Sequence, residues 1–209
     1  YQTITKDWIF GYLTYDLKNA VENLKSKNID GLEFPDLYFF QPKKLFFFKG
    51  NQVEIQYLKM VDDEFESDLK AIQKINESTN QQIDNPIKIK LRIHKDEYFE
   101  KINQMLAHIN RGDIYEANFC QEFYAHANID PLATFHKLQE RSTPPFSAYM
   151  KNGKQFSLSA SPERYLKKQG ELVVSQPIKG TSKRSANLNE DARLKKDLES
   201  IQKSVVKMS

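Results

Sequence analysis

Among its 209 residues the chain has one cysteine, Cys120, which excludes an intrachain disulfide and any structural metal site built on paired cysteines. A reducing, cytoplasmic setting fits that scarcity. Glycine is also rare. Gly31, Gly50, Gly153 and Gly170 stand isolated, and Gly180-Thr181 lacks the surroundings of a phosphate cradle, so nucleotide binding has no support. Neither sign of charge dominates: 31 Lys and Arg against 28 Asp and Glu leave a formal +3, too little to hold a nucleic acid without a local cluster. Pairs such as Lys43-Lys44 and Lys195-Lys196 read as solvated faces. No apolar run approaches the roughly 18 residues of a membrane span. The start, Tyr1-Gln2-Thr3, is neither an initiator methionine nor a basic leader. The expectation is a soluble polypeptide whose beginning is cut.

What is present is a globular composition. It includes 14 Phe and 10 Tyr, enough large apolar groups for a core. Trp8 to Tyr15 reads as extended and Asp16 to Leu24 as a short helix. Lys44 to Leu58 reads as two strands around Gly50-Asn51, with Phe46-Phe47-Phe48 in a buried strand. Asp62 to Glu77 places Phe65, Leu69, Ile72 and Ile75 on one helical side. The polar stretch Ser78 to Pro86 is a linker candidate, dividing the chain into regions 1–86 and 87–209.

In the second region, Ile87, Ile89, Leu91 and Ile93 alternate with polar residues as a strand with one buried face. Lys95 to Asn110 is an amphipathic helix with Gly112 as its C-terminal cap, and Ile114 to Tyr124 reads as another strand. Pro131 to Arg141 is a helix. Hairpins are expected around Asn152-Gly153 and Gly170, and a last helix over Asn189 to Lys203 with Asn189 as its cap. There is no internal repeat. Hairpins mixed with separate helices point to an α+β fold: hairpin-rich sheets with flanking helices.

Several catalytic signatures are missing. His94, His108, His126 and His136 lack the spacing that sets two metal ligands on one helical face. Ser159 and Ser161 lie in Ser-Ala-Ser-Pro-Glu, which is no nucleophile elbow, and Cys120 reads as a buried, inert thiol. Lys179 is the unusual residue. It follows the strand-like Leu172-Val173-Val174, with Pro177 ending regular pairing and Gly180 permitting close approach. Desolvated there, its amine would be favoured in the neutral, nucleophilic form, with Glu163 as proton partner. If the loop is Lys168-Gln169-Gly170, Glu163 falls opposite Ser175. The pair then stands roughly 13 Å apart along a regular ladder unless Pro177 bends the strand. Taken alone, the same two residues also read as a surface lysine and a strand-end glutamate, since most lysines are solvated.

Four ordered segments tie these residues to a known pattern. They are Gly112-Asp113-Ile114-Tyr115-Glu116-Ala117-Asn118-Phe119, Pro145-Phe146-Ser147-Ala148-Tyr149, Ser161-Pro162-Glu163-Arg164-Tyr165 and Pro177-Ile178-Lys179-Gly180-Thr181. In order and spacing they resemble the chorismate-utilising family. Phe10-Gly11-Tyr12-Leu13-Thr14-Tyr15-Asp16 and Phe34-Pro35-Asp36 resemble that family's N-terminal region, so the likeness covers nearly the whole chain. It implies part of the β-sandwich fold of the anthranilate and aminodeoxychorismate synthases. Pro-Ile-Lys-Gly-Thr resembles the aminodeoxychorismate (para-aminobenzoate) synthases, whereas anthranilate synthases usually carry alanine at the place of Lys179.

The resemblance implies that Lys179 attacks C2 of chorismate while Glu163 protonates the departing C4 hydroxyl, and that ammonia then adds at C4. Gly180 and Thr181 would contact the substrate carboxylate. It further implies Mg²⁺ as cofactor and a glutamine amidotransferase subunit as ammonia source. Glu116 departs from the family, standing where this subfamily usually has glutamine. The family's later segments, including Asp-Leu-x-Arg-Asn-Asp and the carboxylates that hold Mg²⁺, are not in the chain. Ser204-Val205-Val206-Lys207 resembles the strand that follows that motif, so residues 203 and 204 are expected to join across an omitted stretch, leaving this piece inactive alone. Anthranilate synthase component I and a noncatalytic binding partner of the same fold are the alternatives.

Overall fold

The computed structural model describes residues 4, 6–74, 86–176, 178, 182–200 and 206–208. The fold is α+β, built from antiparallel strand pairs and separate helices. It divides into two compact units, 1–79 with 151–155 and 80–150 with 156–209. The linker candidate Ser78 to Pro86 lies, Pro86 apart, outside the described residues.

In the first unit, β1 (Phe10–Leu13) pairs antiparallel with β2 (Leu37–Phe40), setting Gly11 against Phe39. A glycine is required there because a Cβ at position 11 would run into the Tyr38 carbonyl and the Phe39 backbone. Thr14 Oγ1 donates to Asp36 Oδ1 at 2.7 Å, and Thr14 N–H to the Asp36 carbonyl at 2.9 Å. This joins the two N-terminal segments singled out in the sequence. A single 3₁₀ turn, Tyr15–Leu17, leads into the short α1 (Lys18–Val21).

β3 (Lys44–Lys49) and β4 (Gln52–Tyr57) form the expected hairpin, with Gly50 at φ +58°. Phe46 and Phe47 are half-buried, and Phe48 is 77 % exposed. A 3₁₀ segment, Lys59–Glu64, precedes α2 (Phe65–Gln73), so the α-helix starts three residues later than the apolar pattern indicated. Lys44 Nζ binds the carboxylates of Glu64, at 2.6 Å, and Asp68. Tyr57 donates to Asp68 at 2.6 Å and its ring meets Phe65 edge-on. Hydrogen bonds from Lys44 to Asp68 and then Glu64 raise the lysine above its ordinary range, pinning α2 to the hairpin.

The second unit departs from the expected strands. Ile87 to Ile93 contributes only β5 (Lys90–Leu91), and Ile114 to Tyr124 only β6 (Phe123–Tyr124), which pair with each other. Ile87, Ile89 and Leu91 are exposed, so the alternation marks a face that no described residue covers. Between them, α3 (Lys95–Arg111) ends on Gly112 at φ +85°. Asp113 N–H reaches the His108 carbonyl and Gly112 N–H the Ile109 carbonyl, each at 3.0 Å, closing the last turn as a Schellman motif. α4 (Pro131–Ser142) starts with proline in its first turn and Asp130 capping the amides of Leu132 and Ala133.

β7 (Phe146–Asn152) pairs with β8 (Gln155–Ser161), and β9 (Arg164–Gln169) with β10 (Leu172–Gln176). The turns Gly153-Lys154 and Gly170-Glu171 put glycine first, at φ +58° and +60°, the arrangement of a type II′ turn. β11 (Val206–Met208) adds to the outer edge of β10. The junction of residues 203 and 204 lies outside the described residues. α5 (Leu188–Ser200) closes the described part of the unit; its cap is Asn187, not Asn189, since Asn187 Oδ1 accepts from the amides of Asn189 and Glu190.

Val61, 5 % exposed, is the one buried apolar side chain among the described residues. The accessible surface is 18914 Å², against roughly 10,000 Å² for a closed monomer of this mass. No helix among the described residues is long and apolar enough to cross a membrane.

Gly11→Ala and Gly153→Ala separate two uses of glycine. An added Cβ at Gly153 meets nothing, so alanine there should cost only the left-handed strain, about 1–2 kcal/mol. Alanine at Gly11 should cost more, because β1 and β2 must part. Urea unfolding of the full-length polypeptide checks this, and equal losses would contradict it.

Candidate active site around Glu163

Three of the four sequence segments meet at one end of the β9–β10 hairpin. Ser161 closes β8, and Pro162, with no N–H to satisfy, carries the chain into β9. Ser161 Oγ donates to the Glu163 carbonyl at 3.1 Å and accepts the Glu163 N–H at 3.2 Å, which fixes the backbone bearing the glutamate. Next to it, the Arg164 guanidinium lies over the Phe146 ring of β7, 4.9 Å from its centroid.

The hairpin register then brings Glu163 across to β10. Gln169 pairs with Leu172 and Lys167 with Val174, but Gln176 pairs with Arg164. Between those points β9 advances three residues while β10 advances two, so Tyr165 and Leu166 together face Ser175. This bulge turns the end of β9 toward the last residues of β10, a common use of bulges beside functional sites. Glu163 Oε1 accepts the backbone N–H of Ile178 at 2.9 Å.

The expected placement of Glu163 opposite Ser175 is therefore corrected. The turn is Gly170-Glu171, not Lys168-Gln169-Gly170, which carries the register three residues past the expected one, and the bulge takes one of those residues back. Lys179, Gly180 and Thr181, the other site residues read from the sequence, lie outside the described residues.

Glu163 and Ile178 are both exposed, so the described residues do not supply the dry environment that the sequence reading called for. Cys120 is exposed as well, not buried, because its segment forms no strand. The first segment is organised by the end of α3. There Arg111 Nε donates to Asp113 Oδ2 at 2.8 Å and His108 Nδ1 lies 2.7 Å from the same oxygen. These contacts, Arg111 first, hold the Asp113 carboxyl below its usual range. Glu116 lies on the exposed loop that follows.

Magnesium was implied by the resemblance. Among the described residues no three His, Cys, Asp or Glu side chains come together as a cage. The groups present do not make a Mg²⁺ site, and no step below is routed through the ion.

Sequence reasoning missed a second cluster just past the lysine segment. Asp191, in the first turn of α5, accepts Arg184 Nε at 2.8 Å and Arg184 Nη2 at 2.7 Å through its two oxygens, and the Ser185 N–H at 3.1 Å. Ser185 Oγ donates to Glu190 at 2.6 Å and accepts from Asn187 N–H at 3.2 Å. The signal that could have found it is Asn187-x-x-Glu190, a capping-box spacing. A cavity of about 340 Å³ lies against this cluster, walled by Ser182, Lys183, Arg184, Asp191, Leu194, Lys195 and Leu198. Glu163 is not among its walls, so the hairpin end is identified by its hydrogen bonds and not by that hollow.

The architecture defined by these hairpins and helices is that of anthranilate synthase component I. The crystal structure of that protein from Streptococcus pneumoniae TIGR4 superposes with a TM-score of 0.73, at 19 % identity, over 92 % of this chain and 45 % of the other. The chain belongs to the chorismate binding enzyme family, whose pattern matches residues 1–206. It is 31 % identical over 197 residues to the anthranilate synthase component I-like protein of Synechocystis, covering 91 % of this chain and 40 % of that one. It is also 36 % identical over 98 residues to aminodeoxychorismate synthase component 1 of Klebsiella aerogenes, covering 47 % and 22 %. The chain spans well under half the length of these relatives.

Asp191 offers a direct electrostatic check. Arg184, and then the Ser185 amide, hold its carboxyl down at about 2 against an ordinary 3.8. The stabilisation from this pair is full above the unfolded value and is lost as pH falls through the folded one. Carboxyl-carbon NMR should give a midpoint near 2 for Asp191, moving toward 3.8 in Arg184→Ala. A parent midpoint near 3.8 would contradict the pair.

Proposed function

We propose that the full-length polypeptide is an aminodeoxychorismate synthase component I, converting chorismate and ammonia to 4-amino-4-deoxychorismate and water. The observation that carries this reading is the Glu163 carboxylate bound to the amide of Ile178, the residue immediately before Lys179. The lysine in Pro177-Ile178-Lys179-Gly180-Thr181 selects among the family's reactions. Similarity to proteins named aminodeoxychorismate synthase supports it.

In the proposed reaction the neutral Lys179 amine forms a bond to C2 of chorismate, both ring double bonds shift, C1=C2 to C1=C6 and C5=C6 to C4=C5, and the C4–O bond breaks. Glu163 gives its proton to the departing oxygen, which leaves as water. Ammonia then bonds to C4, the two double bonds return, and the C2–N bond to lysine breaks, with the surplus proton restoring the acid.

The hydrogen bond of Glu163 supports a division of work between its two oxygens in this reading. Ile178 N–H points at Oε1, so an O–H there would set two donors against each other. The acid form carries its proton on Oε2, the oxygen left for substrate. Gly180 and Thr181 would hold the substrate carboxylate through a backbone amide and a hydroxyl. The ammonia source in this reading is a glutamine amidotransferase subunit, the setting cytoplasmic, and Mg²⁺ a cofactor.

Anthranilate synthase component I is the second reading, favoured by the 31 % identity to the Synechocystis protein of that name. Product analysis with chorismate and ammonia separates the two. Turnover of the full-length polypeptide should yield 4-amino-4-deoxychorismate, and Lys179→Ala should reduce it by about 100-fold or more. Glu163→Gln should do the same while leaving the thermal midpoint in place, because the amide oxygen still accepts from Ile178. Anthranilate as product would establish the second reading. Wild-type turnover in both variants would remove the catalytic roles, and no turnover in the parent would favour a noncatalytic partner.

A further inference from the structure

We infer that Arg164, through its contact with the Phe146 ring, is a positioning residue that sets the Glu163 carboxylate against the Ile178 amide; this rests on the reading of Glu163 as the acid of the reaction. The guanidinium lies 4.9 Å from the ring centroid. Arg164 is the one residue of β9 that is not exposed, while Tyr165 and Leu166 after it are 86 % and 53 % exposed. A strand that turns its aromatic and aliphatic side chains outward and half-buries its arginine reverses the ordinary preference. The arginines that pair with carboxylates among the described residues are Arg92, Arg111 and Arg184. Arg164 has the ring face instead.

The contact sits where it can act on Glu163. Arg164 follows Glu163 directly, so one rigid peptide plane joins them and a shift of either moves the other. Its backbone pairs with Gln176 of β10, two residues before Ile178, while its side chain reaches β7. Arg164 thus ties both strands beside the point where the Glu163 carboxylate meets the Ile178 N–H at 2.9 Å. Phe146 opens β7 and Ser161 closes β8, so the ring and the hydroxyl that holds the Glu163 backbone stand at the same end of that hairpin. The hydroxyl fixes Glu163 from the residues before it and the guanidinium from the residue after. The Glu163 side chain is exposed, so among the described residues these neighbours, and not packing around the carboxylate, set its direction. A planar guanidinium stacked on a ring holds orientation as well as distance, and catalytic groups misplaced by about 1 Å can lose about 100-fold in rate.

The test uses the full-length polypeptide with ammonia as nitrogen donor. It compares Arg164→Met, which keeps the length of the side chain without its charge, Phe146→Leu, which removes the ring face, the two together, and Glu163→Gln as control. Each single change should lower kcat per folded molecule about tenfold, with KM for chorismate within about twofold of the parent. The double variant should be no slower than the worse single, because both changes remove one contact. Arg164→Lys, which keeps a cation over the ring but not the plane, should lose less than Arg164→Met. Amide hydrogen exchange at Ile178 reads the same positioning without turnover, and both single changes should speed it about tenfold. Parent values of kcat and of Ile178 exchange in both singles would overturn the proposal, as would losses that multiply in the double variant. A fall in thermal midpoint with kcat per folded molecule unchanged would reduce the contact to a structural tie and overturn it too. Should Arg164→Met not fold, Phe146→Leu tests the same contact from β7. If Glu163→Gln turns over normally, the reading of Glu163 as the acid has failed. If it is impaired and Arg164→Met is normal, the positioning role alone has failed.

Discussion

A single hydrogen bond, from the backbone amide of Ile178 to Oε1 of Glu163 at 2.9 Å, is the constraint on which the site depends. Without it Glu163, an exposed side chain at a strand end, would have no fixed relation to the residue that follows β10. The bond follows from a hairpin register in which Arg164 meets Gln176, so that the residue before Arg164 lies beyond the end of β10, close to Ile178. Ser161 and Pro162 then set the backbone from the β8 side. The geometry is assembled from the ends of β8, β9 and β10, and among the described residues backbone amides supply the hydrogen bonds that hold Glu163.

How far the fold was legible in the sequence depended on how local its causes were. The hairpins at Gly50, Gly153 and Gly170 follow from two-residue turns that need a positive φ, and the close of α3 follows from Gly112. Nothing distant can override such steric requirements. The apolar alternation of Ile87 to Ile93 is a different kind of signal, since it states that one face is to be covered without saying by what. Among the described residues β5 finds a two-residue partner in β6, and the isoleucines stay open. The expected burial of Phe48 and Cys120 failed similarly. The chain spans 40 % of its Synechocystis relative, and its accessible surface is nearly twice that of a closed monomer of its mass.

The candidate site was read from its chemistry, and the described residues correct its register. Glu163 and Lys179 stood out because a carboxylic acid and an amine at adjacent strand ends can share one proton. The register of Glu163 could not be read, because the glycine at 170 allows more than one turn and the bulge at Tyr165 and Leu166 has no composition signal of its own. The place of the turn and the bulge together decide whether Glu163 faces Ser175 or reaches Ile178. Arg184 and Asp191 escaped notice because seven positions separate them across a loop and a helix start. Only the capping-box spacing from Asn187 to Glu190 pointed to where that helix begins.

The account reduces to an amine at position 179 becoming covalently bonded to substrate while Glu163 stands by as the acid. Mass spectrometry of the full-length polypeptide, quenched after mixing with chorismate in the absence of ammonia, tests this most directly. The account predicts a peptide containing Lys179 heavier by chorismate less one water, and no such peptide when Glu163 is replaced by Gln. Turnover to 4-amino-4-deoxychorismate with Lys179 unmodified under every quench condition, or the adduct on another residue, would contradict it.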